Sequence, residues 1–388
     1  MRALLLISLL LGSCTAAVES AEIVEEVQAP TTTALPTTTT IAPTTSSPAT
    51  DPAAWYLVSV TGSLPDGFSD DLSSIEGILS VSTVRVGTIN MLASRDPAGK
   101  PVDTAPEGFF VPLEAQSFRT VEHRAYVPVS VGRELMDLAH GEVLLSRTSA
   151  ELRRLDPGSE IDIEDGRVLV VRDVVDDEWV GEAEIVVSER DAEALAVTNE
   201  RYSVVRFRGS QAELAEGVAT LTESNVRVRS RDEVDVFRHA DAVPSQLKIK
   251  VRYGEFSYRP IDEATIEIDP AWVETNIVRE AIPLLGTFRC HAVFLENLRE
   301  AMTQLEAMGQ GDAIDASSFR GCWNPRFIRN RSDLSHHAWG AAADINFGED
   351  DLATDPRLLA AMTAASIRSG HTWSDPGPGH FEWFPDAE

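Results

Sequence analysis

The chain is poor in cysteine, in lysine and in positive charge. Lys+Arg is 33 against 62 Asp+Glu, a net charge of −29. An acidic surface of that size repels phosphate, which excludes nucleic acid as a natural partner. Only Lys100, Lys248 and Lys250 are lysines. No run of about 20 apolar residues follows the N-terminus, so no internal membrane span is expected. There are three cysteines, an odd number, which in an exported chain leaves one thiol to explain. What is present is ordinary globular material: 43% hydrophobic and 24% charged residues over 388 positions. That composition can bury a core, excludes wholesale disorder, and at about 150 residues per domain suggests two or three domains.

The first residues read as an export signal. Met1-Arg2 is followed by an apolar run from Ala3 to Leu11 and then by Gly12, Ser13 and Cys14, the order of a secretory leader. Leu11-Gly12-Ser13-Cys14 resembles the bacterial lipobox, in which the cysteine becomes the lipidated first residue; an ordinary signal cut near Ala16 or Ala17 is the alternative. Residues 1–13 are therefore expected to be a signal, and Cys14 a lipid anchor to the outer face of a membrane. Lipidation of Cys14 also leaves an even pair, Cys290 and Cys322, which can form a disulfide in an oxidising compartment; two unpaired buried thiols are the other possibility. From Ala29 to Ala54 the chain is nearly all Thr, Pro, Ala and Ser. Such a segment cannot offset its ordering entropy by burial, so 14–54 reads as an extended tether.

Residues 55–245 read as mixed α and β. Tyr56 to Val60 is strand-like, Asp70 to Ile78 can form a short helix, and Ser80 to Val86 alternates with period two. The same unit recurs: a strand from Tyr202 to Arg208, a helix from Gln211 to Thr222, a strand from Asn225 to Ser230. Two strand–helix–strand units suggest a ferredoxin-like sandwich. Between them lies a strand-rich block (142–145, 160–163, 167–174, 181–187) with an Asp165-Gly166 hairpin signal. It reads as an inserted barrel or sheet and loosely resembles extracytoplasmic domains of bacterial membrane-complex permeases, a likeness that implies no activity. His123, His140 and His239 are scattered there and read as surface or satisfied residues. The region is a candidate for docking an envelope protein.

Chemistry concentrates in 246–388, which holds five of the eight histidines and five of the seven tryptophans. Its central segment is Leu334-Ser335-His336-His337-Ala338-Trp339-Gly340-Ala341-Ala342-Ala343-Asp344. His337 and Asp344 are seven apart, which is wrong for neighbours on one helix face. The pair needs a turn followed by a strand, and Gly340 permits the turn. A third piece, Gly379-His380-Phe381-Glu382-Trp383, is strand-like. Two imidazoles and a carboxylate suit Zn²⁺ with one coordination position left open.

The segment resembles the Ser-x-His-x-x-Gly-x-Ala-x-Asp pattern of zinc D-alanyl-D-alanine carboxypeptidases and related peptidoglycan peptidases, the vancomycin-resistance type included, through Ser335, His337, Gly340, Ala342 and Asp344. The flanks Ile268-Asp269-Pro270-Ala271-Trp272, Pro283 to Gly286, Cys290-His291 and Gly321 to Arg326 are similar to the exported, disulfide-bearing branch. The resemblance spans roughly 251–384. It implies an α+β fold: a zinc-peptidase domain with a small antiparallel sheet and flanking helices, behind the mixed ferredoxin-like region with its strand-rich insertion. It implies His337, Asp344 and His380 as zinc ligands, with His336 as an adjacent rival, and Arg326 (rival Arg320) as receiver of a peptide carboxylate. Trp339 and Trp373 line the pocket or pack in the core.

The family's general base sits three residues before the last histidine, and here that position is Gly377. Asp375-Pro376-Gly377-Pro378-Gly379-His380 looks like Asp-Pro-x-His with two residues inserted. Asp375 is the base if the loop lets it reach the zinc water; Glu382 is a second candidate, and no competent base is the third reading. The expectation is an exported zinc peptidase hydrolysing a bond in peptidoglycan stem peptides. The rival is a catalytically impaired zinc-site domain that binds cell-wall peptides or an envelope partner.

Overall fold

The computed structural model describes residues 53–60, 63–233, 244–328, 333–348, 350–369 and 379–383. The leader, Cys14, nearly all of the tether, His239, Trp373 and Asp375 lie outside the described residues. The N-terminal half contributes strands β1 (Ala54–Val60), β2 (Ile78–Arg95), β3 (Pro101–Thr104), β4 (Val111–Phe118), β5 (Glu142–Ser146), β6 (Glu160–Ile163), β7 (Val168–Val175), β8 (Ile185–Val187), β9 (Asn199–Phe207) and β10 (Val226–Ser230). Hydrogen bonding runs in the order β10-β1-β9-β2-β4-β8-β5-β7-β6, with β3 on β2.

The first four neighbours, β10, β1, β9 and β2, are all paired antiparallel. The helix Phe68–Ser73 joins β1 to β2, and Gln211–Ala219 joins β9 to β10. Ser210 and Glu213 cap the second helix reciprocally. Phe68, Leu72, Leu214 and Val218 turn inward onto Tyr56, Val58, Val205 and Phe207. Both helices are shorter than the sequence suggested. The first stops at Ser73 because Ile78 already belongs to β2, and Gly77 takes the left-handed φ of 94° at the join.

The 18-residue strand β2 belongs to two structures. Its first half pairs with β9, Val84 to Met91 pair with β4, and Met91 to Arg95 pair with β6. The path β2-β4-β8-β5-β7-β6 thereby closes on β2 as a barrel-like sheet. Leu113, Val143, Leu145, Ile161, Val171 and Ile185 fill it. Asp165-Gly166 makes the β6–β7 turn, with Gly166 at φ 85°.

The C-terminal part holds β11 (Tyr258–Pro260) paired with β12 (Ile266–Ile268), and β13 (Ile277–Ile282) paired with β14 (Gly286–His291). A three-stranded antiparallel sheet follows, β15 (Ala342–Asp344), β17 (His380–Trp383) and β16 (Ile367–Ser369), in that order. The helix Ala292–Ala307 buries Phe294, Leu295, Leu298, Ala301, Met302 and Leu305, the i, i+3, i+4 stripe of an amphipathic helix. Trp339 is wholly buried, packs on Phe256 and donates its indole N–H to the Gly254 carbonyl at 3.1 Å. It is a core residue.

The two parts meet across the helix Gln246–Tyr253. Phe110 and Tyr258 exchange backbone hydrogen bonds of 2.7 and 2.8 Å. Lys250 is completely buried; its Nζ binds Glu184 at 2.6 Å and also donates to the Pro112 carbonyl. Arg153, buried too, pairs with Glu184 and Glu255. Charges so placed persist only when paired, because a single buried charge left alone costs several kcal/mol.

Candidate metal centre

The central motif folds as turn then strand. Ser335 caps a single 3₁₀ turn, His336–Trp339, its Oγ accepting the His337 N–H at 3.4 Å. Gly340 then takes φ 67°, and a Cβ there would stand 2.6 Å from the His291 nitrogen. Only glycine fits both the left-handed backbone and that close approach. β15 starts two residues later and pairs with β17 in the register Asp344↔His380 and Ala342↔Glu382. Residues opposite one another in an antiparallel pair share a face. Asp344 and His380 are thus juxtaposed by register, and His337 is brought to them by the turn.

Ligand-capable atoms of His337, Asp344 and His380 lie within 4.8 Å of one another. His337 Nε2 is 3.2 Å and His380 Nδ1 is 2.7 Å from the same Asp344 oxygen, Oδ1. The far nitrogen of each ring is engaged. His337 Nδ1 donates to the Cys322 carbonyl at 2.9 Å, and His380 Nε2 donates to Glu382 Oε1 at 2.6 Å. Those acceptors fix the orientation of each ring and turn its other nitrogen toward Asp344. The donor set, two imidazole nitrogens and one carboxylate, fits a borderline divalent ion such as Zn²⁺.

Electrostatics follow from the same contacts. Burial would raise the Asp344 carboxyl, but hydrogen bonds from both histidines hold it well below the usual carboxylate range. Burial would lower His380, but Glu382 and Asp344 push it up to about 10. Glu382, though buried, is held low by His336 and His380. Its second oxygen accepts from His336 Nδ1 at 2.8 Å. The adjacent histidine His336 is therefore the outer partner of Glu382, and it is His337 that stands with Asp344 and His380.

Glu382 as a general base is corrected by this arrangement: both its oxygens are committed to imidazoles, and the residue is buried. Asp375 lies outside the described residues. Arg326 stands in an extended stretch bridged to Thr265, its carbonyl accepting from Ser335 N–H at 3.1 Å. Arg320 is exposed and acts through its backbone, donating N–H to the Asp344 carbonyl at 3.0 Å. Cys290 and Cys322 form a disulfide, both fully buried. Sequence reasoning missed the Cys322 carbonyl and the pairing of His336 with Glu382. The first leaves no side-chain signal; the second is legible only once β15 and β17 are in register.

No family model and no curated protein matches the chain. Among solved structures it is similar to the periplasmic region of MacB from Actinobacillus actinomycetemcomitans, at 11% identity and a TM-score of 0.31, over 46% of this chain and 89% of that one. It is also similar to the extracellular domain of the noncanonic ABC-type transporter YknZ from Gram-positive bacteria, at 12% identity and a TM-score of 0.29, over 45% of this chain and all of that one. These findings correct the expected function: the structures found similar are extracytoplasmic regions of transporters. The stem-peptide peptidase is accordingly not proposed for this chain. Among the described residues no helix is long and apolar enough to cross a membrane. A disulfide between two sealed cysteines belongs to an oxidising compartment, and the chain is extracytoplasmic.

Proposed function

We propose that this chain is an extracytoplasmic metal-site protein of the cell envelope that acts by binding. His337, Asp344 and His380 would hold one divalent ion, Zn²⁺ by donor chemistry. A bound ion would supply one Lewis-acid position for a further ligand group. The residues around it do the positioning: Cys322 and Glu382 fix the two rings, and Glu382 spans His380 and His336. The carrying observation is that both far ring nitrogens are engaged, so that both near nitrogens turn to a single carboxylate oxygen. The ligand would be an oxygen or nitrogen donor group that a divalent ion accepts at its open position. A lipid on Cys14 and the Thr/Pro tract would tether this binding unit to a membrane.

The test is cobalt substitution of the full chain. Co²⁺-loaded protein should show ligand-field bands that shift when acetohydroxamate is added, as an open position requires. His337→Ala should show neither the bands nor the shift. Bands that ignore acetohydroxamate would mean a closed site and overturn the reading.

A further inference from the structure

Two of the three ligand-bearing residues are positioned from one short stretch, 319–325, that is neither helix nor strand. Arg320 donates its N–H to the Asp344 carbonyl at 3.0 Å. The Cys322 carbonyl accepts from His337 Nδ1 at 2.9 Å, and Asn324 N–H donates to the His337 carbonyl at 2.9 Å. A stretch with no ladder of its own must be pinned from elsewhere. Four contacts with β14 do so: the Cys290–Cys322 disulfide, a Trp323 N–H bond to the Arg289 carbonyl at 3.1 Å, the Arg289 guanidinium 3.8 Å over the Trp323 ring, and Phe319 edge-on to Phe288 at 4.5 Å. The other end of the disulfide borders the site as well. His291, the residue after Cys290, donates its N–H to the Gly340 carbonyl at 3.1 Å.

We infer that the Cys290–Cys322 disulfide is a positioning element for the metal centre, so that the site takes metal tightly only in the oxidised chain, after export. The inference rests on the metal reading above. Reduction by a thiol pool breaks one S–S bond and leaves Cys290 and Cys322 as thiols; the two protons and two electrons come from two thiols, which leave as their own disulfide. The stretch then keeps one backbone bond, one stacked cation and the Phe319–Phe288 ring contact to β14, none of them a covalent tie at Cys322. The Cys322 carbonyl is free to drift, and the His337 ring loses the acceptor that aims Nε2 at Asp344. Loss of such an orienting partner typically weakens metal binding about 10- to 100-fold.

The full chain would be titrated with Zn²⁺ against a chromophoric chelator in three forms: oxidised, reduced with a water-soluble phosphine (which takes oxygen from water as it reduces the bond), and the double variant Cys290→Ala, Cys322→Ala. The oxidised chain should bind one equivalent. The other two should bind about 10- to 100-fold more weakly, with near-ultraviolet circular dichroism retained and shifted Co²⁺ bands. A disulfide that merely stabilised the fold would lower the melting temperature yet leave the Kd of folded protein unchanged. Equal affinities in oxidised and fully reduced protein, with both thiols counted, would overturn the inference and leave the metal reading standing. No binding by the oxidised chain would remove the metal reading first and this inference with it. If the double variant does not fold, metal release from the loaded native chain on phosphine reduction decides: retention of the ion overturns the inference.

Discussion

Glu382 accepts the Nε2 proton of His380 at 2.6 Å from a position two residues along the same strand. The contact decides what both groups can do. It leaves His380 Nδ1 to face Asp344, and it removes Glu382 from proton transfer because its other oxygen serves His336. Carboxylate–histidine pairs of this kind raise ligand basicity and hold ring orientation.

Glu382→Ala should therefore weaken Zn²⁺ binding about 10- to 100-fold without abolishing it, since His337, Asp344 and His380 all remain. A competition titration reads this directly. An unchanged Kd would show that the His380 ring is oriented by its packing alone.

Gly340→Ala tests the turn. The new Cβ would meet the His291 nitrogen at 2.6 Å from a backbone at φ 67°. The left-handed conformation alone costs about 1–2 kcal/mol for an alanine. A loss of at least about 2 kcal/mol in denaturant unfolding is expected once the clash is added, together with weaker metal binding.

Lys250→Met tests the seam. The substitution keeps volume but strips Glu184, itself sealed from solvent, of one of its two cationic partners. Removing one partner of a buried pair typically costs about 3–5 kcal/mol, and the remaining Arg153 should hold the loss near the lower figure. A midpoint unchanged in urea would mean that Arg153 suffices.

Glu114 supplies the pH dependence. Its Oε2 is sealed from solvent with no hydrogen-bond partner. Burial, then repulsion from Asp333, Glu184 and Glu182, raises its carboxyl well above the usual value, with Lys250 opposing. A carboxyl raised on folding keeps its proton in the folded state after the unfolded chain has lost it. Its stability contribution is present below the unfolded value and is lost as pH rises through the folded one, at up to about 1.4 kcal/mol per pH unit. Glu114→Gln mimics the protonated form. It should match the parent near pH 4 and exceed it increasingly toward pH 8 in parallel melting curves.

The turn followed by a strand was legible in the spacing of His337 and Asp344, with Gly340 where the left-handed residue is required, whereas the grouping of His337 and Asp344 with His380 came from the resemblance of the motif. The orienting partners were not legible. Cys322 acts through its backbone carbonyl, which any residue carries, and Glu382 depends on facing Ala342 across two strands. The seam was hidden for another reason. In Lys248-Ile249-Lys250-Val251 a lysine is expected outside and a valine inside, yet Lys250 is fully buried and Val251 is 51% exposed. The helix there faces two neighbours, and ion pairs supplied by distant residues override side-chain polarity. The two strand–helix–strand units showed in their local periodicity. The strand-rich block left barrel and sheet open, since closure depends on the long-range β2–β6 pairing and on the parallel pairings β4–β8 and β5–β7 between non-adjacent segments.

The most direct measurement is the zinc stoichiometry of the purified oxidised chain beside His337→Ala, by equilibrium dialysis and elemental analysis. One tightly held equivalent in the parent and none in the variant is the expected result. A parent that retains no zinc, or a variant that retains as much as the parent, would contradict the account.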